Sequence, residues 1–64
     1  GTFQVGSVLR VGNAATGNGV GVVALANAST LPNANPTGGG IIYVEAGALK
    51  YRGSGGTITT LGAA

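Results

Sequence analysis

The chain has 64 residues, no cysteine, no histidine and four charged side chains, Arg10, Glu45, Lys50 and Arg52, for a net charge of +2. Within one chain that inventory excludes a disulfide framework, a His/Cys zinc site, a carboxylate calcium cage and a Ser/His or Cys/His nucleophile system, so no metal or other cofactor is expected. Three dispersed cations also cannot build the phosphate-neutralising stripe that nucleic-acid binding requires.

Gly and Pro together make up 16 residues, a proportion that approaches disordered sequences, yet Leu, Ile, Val and Phe also total 16 and the mean hydropathy is +0.42. Disordered chains are polar and charged, so this one should be ordered. A domain of this length hides only about 60% of its unfolded surface. With neither crosslink nor metal to compensate, association with further copies of itself is the remaining source of stability. Helical periodicity is nearly absent and glycines recur throughout, which predicts an all-β class. The expected organisation is one small β domain over 1–64, with N-terminal strands in 1–28, a connector over 29–40, and a hairpin and final strand in 41–64.

In chain order, "TFQVGSVLRVG" supplies Phe3, Val5, Val8, Leu9 and Val11 to one or two short strands with a bend at Gly6-Ser7. "NAATGNG", residues 13 to 19, is turn chemistry. "VGVVALANA", residues 20 to 28, alternates as a strand with Val20, Val22 and Ala24 on one face and Gly21, Val23 and Leu25 on the other. A strand apolar on both faces is normally covered on both. The rest of the chain is too small for that, so a neighbouring copy is the economical cover. The nearly apolar run Gly19 to Ala28 is too short for a transmembrane helix, which takes about 20 residues, so no membrane insertion is expected. "STLPNANPTGGG" reads as a connector, with Leu31 as an anchor.

Two runs, Ile41 to Glu45 and Ala48 to Arg52, flank Ala46-Gly47 as a hairpin. Ala-Gly is not a favoured pair for a two-residue primed turn, so a four-residue loop is equally compatible. Either turn gives one register. Val44 faces Leu49 and Ile42 faces Tyr51 on one side, the expected core and interchain face. Tyr43 meets Lys50 and Ile41 meets Arg52 on the other, where cationic stems can lie over apolar groups with their charges in solvent. Glu45 lies diagonal to Lys50 as an exposed pair. "GSGG" is a second turn and "TITTL" a final strand.

Gly38-Gly39-Gly40 has two readings. It is a φ-permissive turn after Pro36, or a point where three chains approach so closely that no Cβ fits. Under the second, Gly38, Gly39, Gly40, Ile42, Val44, Leu49 and Tyr51 form a trimer interface, and Tyr43, Lys50 and Arg52 are the candidate receptor-facing residues.

The segment "NPTGGGIIYVEAGALKYRGSGGTITTLGAA", residues 35 to 64, together with "ALANAST" at 24 to 30, resembles the C-terminal region of tail-fibre and related structural proteins of tailed bacteriophages. That resemblance implies an intertwined, β-rich homotrimer, of triple β-helix or β-prism type, in a virion appendage that is extracellular once assembled. It implies other virion proteins as partners and does not identify a receptor; a host cell-surface glycan or protein is the partner class open to an exposed fibre domain. The first 23 residues carry no part of it.

Enzyme readings fare poorly, because one Glu supplies neither an acid–base pair nor the two carboxylates of glycoside hydrolysis. "GNGVG" lacks the Lys-Ser/Thr and helix of a nucleotide cradle. Asn27-Ala28-Ser29 fits a glycosylation sequon, and "TITT" a Thr-rich flat surface, but strand-end and β-propensity readings explain both. Gly1 with no Met in the chain suggests a processed chain or part of a longer one. Two classes stay open: a trimeric structural, receptor-facing fibre domain, and an assembly module of another extracellular β-filament or adhesin.

Overall fold

In the computed structural model, which describes residues 4–64, the chain is all-β. Five strands and no helix form two small sheets among the described residues. Phe3, read above as part of the first strand, lies outside them.

The first sheet pairs β1 (Val8–Val11) with β2 (Val22–Leu25). β1 begins after a bend at Gly6-Ser7, as the glycine there suggests. The strands run parallel with Val8 opposite Val22 and Val11 opposite Leu25, a pairing that local sequence does not encode. Parallel neighbours are ordinarily joined by a helical crossover of a dozen residues or more. Here residues 12–21 return without one, by folding a tight turn in which the Gly19 N–H donates to the Thr16 carbonyl (3.0 Å) and both central residues, Gly17 and Asn18, have positive φ. The 16–19 turn, with left-handed Gly12 and Gly21 at the two ends of the segment, carries the chain back and round again so that β2 enters alongside β1 in the same direction. β2 is shorter than the run 20–28, because Gly21 at φ 74 breaks the extended backbone before Val22.

The second sheet is an antiparallel meander of β3 (Ile41–Glu45), β4 (Ala48–Arg52) and β5 (Ile58–Gly62). The β3–β4 register is the one that alternation predicts, with Ile42 opposite Tyr51, Tyr43 opposite Lys50 and Val44 opposite Leu49. The loop between them is the two-residue form. Ala46 (φ 51) and Gly47 (φ 83) both take left-handed conformations, as a primed turn demands. Between β4 and β5 the residues Ser54-Gly55-Gly56 close a three-residue loop, with Gly53 and Thr57 joined by an N–H to carbonyl bond of 3.1 Å. A bulge near the end of β5 leaves Leu61 without a partner between the Lys50–Thr60 and Leu49–Gly62 pairs.

The sheets meet at one seam. The Ala28 N–H donates to the Val44 carbonyl (2.7 Å), forming a parallel bridge between Asn27 and Val44. Asn27 Oδ1 then accepts from the Gly47 N–H (2.9 Å), a donor that a two-residue turn leaves without a strand partner. One asparagine thus ties the end of the first sheet to the turn of the second.

Ala46 sets a direct test. A non-Gly residue in the left-handed region carries roughly 1–2 kcal/mol of steric cost, which Asn bears with less penalty than Ala. Ala46→Asn should therefore raise stability by about 0.5–1 kcal/mol, read as a higher denaturant midpoint at unchanged slope. A lower midpoint would show that the turn does not need this conformation.

Candidate functional site

The meander has two unlike faces. On the side of Ile41, Tyr43, Lys50 and Arg52, Tyr43 is 8% exposed, the one buried hydrophobic side chain among the described residues. Lys50, directly opposite it, extends to Glu45 and makes a 3.0 Å ion pair. Arg52 turns to the connector, donating from Nη1 to the Pro32 carbonyl (2.8 Å) and from Nη2 to Asn35 Oδ1 (2.9 Å). Asn35 in turn sits against the β4–β5 loop, so closely that a Cβ on Gly56 would fall 2.9 Å from its Oδ1. The connector is therefore fastened to the sheet through Arg52 and Asn35. Leu31, expected to anchor it, is exposed.

This arrangement changes the reading of the three candidate receptor-facing residues. Tyr43 is interior to the chain, and Arg52 is half-buried in a structural clamp. Lys50 has a partner in Glu45, with the two side chains 24% and 39% exposed. Both cations lie on the Tyr43 side of the hairpin, as the alternation predicts, with their charged groups engaged by Glu45 and by the connector.

The opposite face carries Ile42, Val44, Leu49 and Tyr51, the residues assigned to a core between chains. In the single chain Ile42 is 60% exposed and Tyr51 38%, while Val44 and Leu49 are half-buried. Tyr51 is nonetheless held in place. Its ring lies flat enough on the backbone of Gly40 that any Cβ there would collide with the phenol oxygen and two ring carbons. Across the strand end, a Cβ on Gly53 would stand 3.5 Å from the same ring, an ordinary contact.

The triple glycine separates into three roles. Gly38, at φ 78, takes the left-handed position of a turn closed by the Gly39 N–H on the Pro36 carbonyl (3.0 Å). That is the turn reading. Gly40 shows the close approach, made within one chain by the Tyr51 ring. Gly39 has open space where a Cβ would stand.

Apolar exposure extends to the other elements. Val20 (79%), Val23, Ile58 and Leu61 are also exposed, so β2 and β5 are uncovered on the sides where apolar residues project. A hollow of about 470 Å³ opens where the 13–15 loop meets the seam and is lined by Asn13, Leu25, Asn27 and Val44 among others. None of its lining residues is ionisable. No cluster of potential metal ligands occurs among the described residues. No family model, curated protein or solved structure matches this chain.

Two comparisons follow from the geometry. Gly40→Ala should displace the Tyr51 ring and lower stability by about 1–3 kcal/mol, as overpacking does, with the effect much reduced in a Tyr51→Ala background. Gly39→Ala should stay within about 0.5 kcal/mol unless copies crowd at that position, in which case assembly measured by sedimentation is lost instead. On the other face, Arg52→Ala removes a half-buried clamp and should cost roughly 1.5–3 kcal/mol. Lys50→Ala removes a partly exposed pair and should cost under about 1 kcal/mol. Equal costs in thermal melts would contradict the asymmetry between the two cations.

Proposed function

We propose that this chain is a structural module of a tailed-bacteriophage tail fibre or a related virion appendage, acting as a closed homotrimer with exposed loops turned toward the host surface. It is not an enzyme in this reading. It binds copies of itself and other virion proteins, and its receptor is a host glycan or protein. The observation that carries the proposal is the lack of a sufficient core. A folded monomer of 6.0 kDa should expose about 3,600 Å², whereas this chain exposes 4605 Å². Its radius of gyration, 13.0 Å, also exceeds the roughly 10.7 Å of a compact chain this long. In this reading a fold of this shape, with one buried hydrophobic residue among those described, gains its stability from neighbours. The motifs of residues 35–64 supply the resemblance to virion fibres, and their meander presents an uncovered apolar face for such neighbours.

One feature favours the second reading, an open β-filament: each sheet ends in strands with an unpaired side. Closure distinguishes the two. A discrete species of three chains in native mass spectrometry supports the fibre module, while a mass distribution that grows with concentration supports the filament.

Unfolding should be coupled to dissociation. Tenfold dilution removes about 1 kcal/mol per chain from a three-chain equilibrium, so Tm should fall by roughly 4–8 °C. A monomer whose Tm is independent of concentration would overturn the proposal.

A further inference from the structure

Among the described residues the outer edge of β5 has no strand partner, and its sequence does nothing to protect it. Natural edge strands are blunted by charges, prolines or a covering segment. Ile58–Gly62 holds neither a charge nor a proline, and Ile58, Thr59, Thr60 and Leu61 are all exposed. The chain's four charges lie on β1, β3 and β4.

The hydrogen-bond phase identifies the open groups. Gly53 and Thr57 are a bonded pair, with the Gly53 N–H on the Thr57 carbonyl. Antiparallel ladders alternate bonded and non-bonded pairs, and Arg52–Ile58, Tyr51–Thr59 and Lys50–Thr60 follow in register. Thr59 therefore turns its N–H and carbonyl toward β4. Ile58 and Thr60 turn theirs outward, and the bulge at Leu61 ends the open ladder.

We propose that the β5 edge at Ile58 and Thr60 is the strand-addition site at which a second copy of this chain docks. The inference rests on the self-assembly reading above and assigns it a surface. The occupant follows from area: the chain exposes about 1,000 Å² more than a compact monomer of its mass, and an interface of standard size takes about 800 Å² from each partner. Another copy can supply that area together with backbone donors and acceptors for the edge. In a closed trimer the incoming strand is not the partner's own β5, because a two-fold β5–β5 pair admits only two chains.

The test uses the whole chain made with a backbone ester in place of the amide at Thr60, beside Thr60→Pro. Both remove the outward donor and keep the Thr59 N–H bond to β4; the proline also keeps the Thr59 carbonyl an amide acceptor, whereas the ester makes it a weaker one. The ester should weaken association at least tenfold in sedimentation equilibrium, and the proline variant should abolish it. Hydrogen exchange of the unmodified chain gives an independent reading, in which the Ile58 and Thr60 amides become protected only at concentrations where the chain associates. If the ester variant associates like the unmodified chain, or if those two amides exchange freely in the assembly, the edge assignment is overturned while self-assembly stands. If the unmodified chain stays monomeric at hundreds of micromolar, the assembly reading and the edge fall together.

Discussion

A three-stranded sheet has two faces, and this chain has enough additional polypeptide to cover part of one. The connector 29–40 is what it spends there, held by the Arg52 guanidinium on the Pro32 carbonyl and Asn35. Everything else about the burial pattern depends on that choice. Tyr43, on the side of the clamp and of Lys50, is interior, while Ile42 and Tyr51 on the other side remain exposed, Tyr51 with its ring against Gly40 at the end of the connector. An arginine rather than an aliphatic residue suits this task. Its planar fork bonds two acceptors three residues apart in the connector at once, the Pro32 carbonyl and Asn35 Oδ1.

The antiparallel half was legible in the sequence for physical reasons. Period-two alternation fixes which residues share a face, and short loops leave few alternative registers, so the pairing of Val44 with Leu49 follows from spacing alone. The choice of loop did not follow. Ala46 resists positive φ, and the two-residue turn forms with help from Asn27, twenty positions away, which supplies an acceptor for Gly47. The parallel pairing of β1 with β2 was not legible either, because it depends on the return through residues 12–21 and on contacts that no local pattern records.

The faces of the hairpin show a further limit of pattern reading. Alternation separates Tyr43, Lys50 and Arg52 from Ile42, Val44, Leu49 and Tyr51, but it does not say which set the rest of the chain will cover. Hydropathy points to the aliphatic set. The connector goes to the other, because backbone carbonyls and an asparagine amide are what a connector rich in Pro and Asn has to offer, and a guanidinium is their natural partner. The glycine run teaches the same lesson at smaller scale: three identical neighbours serve a turn, an open position and a ring seat, distinguished only by what lies beside each.

The loop lengths also impose an order in time. β3, β4 and β5 are joined by two- and three-residue loops, so their contacts close short segments of chain at small entropic cost, on the microsecond scale of hairpins. β1 and β2 are joined by a longer return, and the seam at Asn27 and Ala28 closes a longer stretch of chain onto β3 and the Ala46-Gly47 turn. The C-terminal half is thus the part of the molecule that can take its shape early, and the N-terminal half is laid down against it. In a multichain particle such an order places the site of first encounter at the C-terminal end, from which pairing would propagate back along the chains like a zip.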